Sequence, residues 1–283
     1  MTAAMNETPP RPKKRLGQHF LTDKNILGKI LSVAAVEKGD EVLEIGPGRG
    51  ALTQALIDAG ANVTTIEADK ALCSYLQERF APGLQSGQLR IIHSDALKLS
   101  FLELARASGQ RFKVVANLPY NISGPIVIRF IEQRSVFSQM TLMFQKEVAL
   151  RLAASPGTKD YGALSVLAQT YMDIRLEFDV RPGSFFPPPK VLSSVVSMVV
   201  RDSPAVPVAD EATYARVVKA GFVCRRKTLL NSLKEALDLK KEDALELLTA
   251  IGVEPQRRGE TLSLEEFSAL AAAYGRRRAG QSP

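Results

Sequence analysis

The chain has 283 residues, 45% of them apolar and 24% charged, with a net charge of +7 and an isoelectric point near 9.4. Those values describe a globular protein long enough for one large domain and a small one, and the basic balance favours a polyanionic partner, nucleic acid first. No apolar run reaches the roughly 18 residues that cross a bilayer, and residues 1–15 hold no apolar stretch for a signal peptide. Cys73, Cys224, His19 and His93 lack metal-ligand spacing, so no metal site is expected and the protein is read as cytoplasmic.

Residues 1–12 form a polar tail rich in Pro and Thr, expected to be disordered. Residues 13–21 (KKRLGQHFL) join the cations Lys13, Lys14 and Arg15 to a glycine, an amide, a histidine and an aromatic. They read either as a solvated arm or as a segment that closes over a ligand while its basic end meets phosphates. A helix follows, capped by Thr22 or Asp23, with Ile26, Leu27, Ile30, Leu31 and Ala34 at helical spacing.

The run Glu41–Ile45 is a short strand leading into Gly46-Pro47-Gly48-Arg49-Gly50, and Leu52, Ala55, Leu56 and Ala59 then give one face of a helix. Strand, glycine turn and helix together let the backbone come close to a ligand and aim helix amides at it. The next strand, 62–66, ends at Glu67, about twenty residues past the turn, where an acid can hold ribose hydroxyls. The glycines alone leave a nicotinamide enzyme open, because Gly46-x-Gly48 followed by Ala51 satisfies the looser dinucleotide pattern.

The strand 89–93 delivers Asp95 and Ala96, and the buried strand 112–116 delivers Asn117-Leu118-Pro119-Tyr120. An Asn carbonyl can accept a hydrogen bond from an exocyclic amine. Pro119 fixes its own φ and keeps Leu118 out of the helical region, so the Leu118 carbonyl can face the site. Tyr120 supplies a stacking face for a base that has left its helix. Taken alone the four residues read more readily as a β-turn with a packed tyrosine. Three successive strand ends presenting Glu67, Asp95 and Asn117 shift that reading towards chemistry.

Further on, 124–131 reads as a helix, 139–144 as a buried strand, and 146–154 and 161–171 as helices. Strands 173–180 and 193–200 are joined by a proline-rich loop that sets Phe185 or Phe186 on a stiff support, where one of them can be the second wall of a base slot. After the linker 202–210 only helical patterns remain, with Arg225-Arg226-Lys227 between the first two. A lone basic triplet is more often a solvated helix end than a binding site.

Together, Glu44 before Gly46-Pro47-Gly48, then Glu67, Asp95, Asn117-Leu118-Pro119-Tyr120, FFPPPKV and FVCRRKTLLNSL closely resemble the ribosomal RNA adenine N6,N6-dimethyltransferases, the bacterial small-subunit group most. The resemblance runs from Lys13 to the last helices. It implies a class I S-adenosylmethionine-dependent methyltransferase, Rossmann-like with seven strands and the last reversed, over 13–201, and a small helical RNA-binding domain over 211–283. It implies donor contacts at His19, Leu21, Gly46, Gly48, Glu67, Asp95, Ala96 and Asn117, and catalysis by Asn117, Leu118, Pro119, Tyr120 and Phe185. The family usually has Asn at the position of His19. Its implied substrate is a pair of adjacent adenosines in the 3′-terminal hairpin of small-subunit rRNA within a ribosomal particle, with Lys13, Lys14, Arg15, Arg225, Arg226 and Lys227 on phosphates and the protein a monomer. A large-subunit adenine methyltransferase and a non-catalytic assembly factor are the rivals.

Overall fold

Strands buried on both faces read as unbroken apolar runs, and such runs build the central sheet of a computed structural model that describes residues 9–13, 16–224 and 226–280. In chain order the first elements are β1 (Phe20–Leu21), α1 (Lys24–Ala34), β2 (Glu41–Ile45), α2 (Ala51–Asp58), β3 (Asn62–Glu67), α3 (Lys70–Arg79), α4 (Ala81–Gln85), β4 (Leu89–His93) and α5 (Phe101–Ser108). They continue with β5 (Phe112–Asn117), α6 (Ser123–Glu132), β6 (Phe137–Gln145), α7 (Lys146–Leu152), α8 (Ala163–Tyr171), β7 (Met172–Val180), β8 (Phe185–Phe186) and β9 (Ser193–Val200). The last are α9 (Glu211–Phe222), α10 (Leu229–Leu237), α11 (Lys241–Ala250) and α12 (Leu264–Arg278).

Seven strands lie in the order β4-β3-β2-β5-β6-β9-β7. β2 pairs in parallel with β3 and β5, β3 with β4, and β5 with β6, while β9 runs antiparallel to β6. The expected α/β sheet with a reversed last strand is thus the observed one. Strand order reverses between β2 and β5, and open α/β sheets bind ligands outside the carboxyl ends of the strands at such a point.

The chain divides into two compact units: residues up to Ala149 with Ile174–Val200, and Leu150–Asp173 with Arg201–Pro283. The first unit's core holds Leu27, Ile30, Val42, Leu56, Val63, Val115 and Phe185. α1 is fixed at its start by Asp23, whose carboxylate accepts from the amides of Asn25 and Ile26. The second unit takes in α8 as well as the helices after 201, because α8 packs by its buried face on α9, where Thr170 Oγ1 lies 2.8 Å from the Tyr214 hydroxyl. Its start at Leu150 differs from the division expected at the 202–210 linker, since composition marks a loop but not which core a helix joins. Tyr161, Phe222 and Phe267 form an aromatic row at centroid distances of 5.9 and 5.5 Å. Ser263 and Glu266 close a reciprocal cap on α12, the amide of Ser263 donating to Glu266 Oε2 at 2.8 Å.

Candidate active site

At the carboxyl ends of β2, β3, β4 and β5, a cavity of about 350 Å³ is lined by the 16–21 segment, the glycine turn, Glu67, residues 94–97 and Asn117 to Ile122. One wall is made by neighbours in sequence. Gly46 and Gly48 sit at φ 68° and 58°, left-handed values that residues with a Cβ avoid. A Cβ on Gly48 would lie 2.6 Å from Phe20 Cδ1. Gly48 is therefore bare main chain beneath the Phe20 ring.

Two buried acids stand behind it. Glu67 is 5% exposed and accepts from the Asp69 amide at 2.9 Å. Burial raises its carboxyl above the ordinary range, against hydrogen bonds from the amides of Asp69, Gly48 and Ala68. Glu44, 1% exposed, accepts from Thr53 Oγ1 at 2.6 Å. Burial, opposed by that hydroxyl and reinforced by the charge of Glu67, pushes its pKa up to about 8. Asp95 accepts from the Leu97 amide at 3.0 Å, and Ala96 is buried beside it.

The opposite wall draws on remote parts of the first unit. Asn117 Nδ2 donates to the His19 carbonyl at 2.9 Å. Because a carbonyl can only accept, this contact fixes which end of the amide is which and turns Oδ1 the other way. The Leu118 amide donates to the Met143 carbonyl at 3.3 Å, and the Pro119 carbonyl accepts from the Ile122 amide at 3.1 Å. The Tyr120 hydroxyl lies 2.6 Å from Ser193 Oγ, and burial, opposed by Ser193, raises its pKa. The ring of His19 stacks on Tyr120 with centroids 5.2 Å apart, and its Nδ1 donates to the Pro187 carbonyl at 2.7 Å.

Phe185 departs from the loop position expected of it. Phe20 and Leu21 pair antiparallel with Phe186 and Phe185. Because side chains alternate along a strand, this short ribbon sends Phe185 into the core at 4% exposure and leaves Phe186 51% exposed. The guanidinium of Arg49 lies 4.9 Å from the Phe20 centroid and 5.4 Å from that of Phe186. Leu21 lines the cavity while its side chain is 5% exposed.

Of the cations expected on phosphates, Lys14, Arg15 and Arg225 lie outside the described residues. Lys13 is engaged elsewhere: its Nζ meets Asp69 Oδ1 at 2.7 Å, and its amide donates to Gln18 Oε1 at 2.7 Å. Burial works against the charge of Asp69, but Lys13 and the Ala71 amide outweigh it and hold the carboxyl low. Arg226 is exposed, and Lys227 is ion-paired with Glu235.

Glu44, Asp69, Gln18 and Ser193 were not among the sequence-derived site residues. Glu44 carried a readable signal, a charged residue between Leu43 and Ile45 in a strand buried on both faces. Ser193 carried none, since its partner lies 73 positions away. Among the described residues no cluster of three or more His, Cys, Asp or Glu is placed to hold a metal, and no helix is long and apolar enough to cross a membrane.

The family described as ribosomal RNA adenine dimethylase matches residues 11–271. The ribosomal RNA small subunit methyltransferase A of Geobacter metallireducens is 48% identical over 265 residues, which cover 93% of this chain and 95% of that protein. Among solved structures, a dimethyladenosine transferase from Plasmodium falciparum superposes with a TM-score of 0.75 at 28% identity, covering 93% of this chain and 99% of that one. The 23S rRNA methyltransferase ErmE superposes with a TM-score of 0.65 at 25% identity, covering 89% and 98%.

Proposed function

The chain belongs to the ribosomal RNA adenine dimethylase family, and from that premise we propose how its residues carry out the reaction. The activity is S-adenosylmethionine-dependent dimethylation of adenosine N6 in small-subunit (16S) rRNA. When bound, the donor supplies a methyl group on a positively charged sulfur.

The cavity fits such a donor on its own terms. Glu67, buried at the end of its strand, can accept from ribose hydroxyls, and glycine at 46 and 48 admits close main-chain contact. In our reading Glu67 holds the ribose hydroxyls and Asp95 with Ala96 the adenine. Gly46 and Gly48 face the donor with their main chain, and His19 and Leu21 close over it with theirs.

The observation that carries the base site is the Asn117 contact. With Nδ2 committed to the His19 carbonyl, Oδ1 is the atom left to accept a hydrogen from the target amine. The Leu118 carbonyl is the second acceptor, and Tyr120 is the stacking face. A neutral amine meeting a cationic donor needs little acid or base help. Positioning therefore carries most of the acceleration, an effect that can contribute roughly 7 kcal/mol or more. A monomethylated amine keeps one N–H, enough for either acceptor, so the product can rotate and react again. Time courses in which monomethyladenosine never advances to dimethyladenosine would remove that step.

The targets are two adjacent adenosines of the 3′-terminal hairpin, met by a monomer in the cytoplasm within a ribosomal particle. There Arg226 and its neighbours contact phosphates without reading sequence. The test is tritium transfer from labelled S-adenosylmethionine to unmethylated small subunits. Asn117→Ala is expected to lower incorporation at least a hundredfold, far more than it lowers donor affinity; an equal loss of donor affinity would overturn the assignment.

A further inference from the structure

His19 touches the base site twice. Its carbonyl accepts from Asn117 Nδ2 at 2.9 Å, and its imidazole lies on Tyr120 with centroids 5.2 Å apart and planes at 30°. A base held between two rings separates them by about twice the stacking contact of 3.5–4.0 Å, or roughly 7–8 Å. At 5.2 Å no base fits between His19 and Tyr120. One ring has to yield. The tyrosine is buttressed by its hydroxyl on Ser193 Oγ at 2.6 Å, and Ser193 is fully buried. The imidazole is held by one bond to the Pro187 carbonyl at 2.7 Å, on a residue that is only partly buried.

We propose that His19 is a positioning residue for the target base: its carbonyl turns the Asn117 amide so that Oδ1 meets the amine, and its imidazole keeps the stacking face of Tyr120 until a flipped adenine displaces it. The inference rests on Asn117 and Tyr120 being the base site. It adds a selection step at the moment of capture. An incoming base has to out-compete a ring already in place, so a weakly stacking pyrimidine, or a base without an amino group for Oδ1, is turned away.

The test compares wild type with His19→Ala, His19→Gln and His19→Phe in steady-state methyl transfer to unmethylated small subunits, with S-adenosylmethionine affinity measured by calorimetry. All three variants keep the main-chain carbonyl. His19→Ala and His19→Gln, which lack a ring, are expected to raise kcat/KM for the particle roughly two- to tenfold, the range set by one aromatic pair. Donor Kd should stay within about twofold in each, the fold-change that separates a base-side effect from a lost donor contact. His19→Phe restores a ring and should return kcat/KM towards wild type. Ring-free variants at or below wild type, His19→Phe tracking His19→Ala, or loss of donor affinity in His19→Ala would each overturn the inference. Wild-type enzyme that transfers no methyl group to the particle would instead overturn the base-site reading itself.

Discussion

The wall of the cavity beside the glycine turn is assembled from contacts two to nine residues apart, Glu67 with Asp69, Asp95 with Leu97 and Glu44 with Thr53. The wall facing it spans 98 residues from His19 to Asn117, 73 from Tyr120 to Ser193 and 168 from His19 to Pro187. The first forms wherever its strand, turn and helix form. The second exists only when the 16–21 segment lies across the strand ends. One site therefore joins a locally determined half to a half that depends on the whole of the first unit.

The largest expected effect separates the halves outright. Asn117→Ala should reduce kcat by about 10²–10³, the size found when one preorganised polar contact at a reacting centre is removed, and raise donor Kd far less in calorimetry. If donor affinity fell in step, the two walls would not be separable.

Next comes a pH effect confined to the local half. The carboxyl of Glu44 has its pKa raised from the usual 4.5 to about 8, so the folded protein holds a proton that the unfolded chain releases. Stability from this group is full below 4.5, falls as pH rises through that window and is flat above about 8. Glu44→Gln keeps an acceptor for Thr53 and removes the titration. Its stability relative to wild type should grow by an amount on the order of 5 kcal/mol between acidic and alkaline pH, read by denaturant melts at several pH values. Parallel curves for the two proteins would show that folding leaves the Glu44 carboxyl unshifted.

Gly48→Ala strikes both halves of the site at once. It forces φ 58° on an alanine and drives a Cβ to 2.6 Å from Phe20 Cδ1. A loss of about 2 kcal/mol in stability is expected, together with weaker donor binding. Tyr120→Phe removes only the hydroxyl contact to Ser193 and should cost about 1 kcal/mol, raising KM for RNA with donor Kd unmoved. Smallest is Lys13→Ala: its Nζ is partly exposed, so losing the pair with Asp69 should cost under about 1 kcal/mol and diminish further in high salt.

The same division explains what could be read from residues alone. The seven strands of the sheet, the glycine turn, Glu67, Asp95 and Asn117 were legible because each is announced by its immediate neighbours: an apolar run, a turn and then a polar residue. The role of Phe185 was not. Whether it or Phe186 faces the core depends on register with Phe20 and Leu21, some 165 residues earlier, and a slip of one residue exchanges the two faces. Lys13 read as a free cation because its partner Asp69 is brought to it only by folding. Helix α8 read as part of the sheet's domain because nothing local to 161–171 announces the α9 face on which it packs.

The clasp between His19 and Pro187 also has a meaning in time. On a ribosome the chain emerges from its amino end, so the glycine turn and the acids behind it are synthesised well before Pro187 and Ser193. A nascent polypeptide released after Asn117 and Tyr120 would carry the glycine turn, Glu67, Asp95 and the Asn117–Tyr120 turn and yet have nothing to brace the tyrosine or tether the imidazole. Competence to handle a base is thus deferred until nearly two hundred residues have been translated, and premature termination yields fragments without that competence.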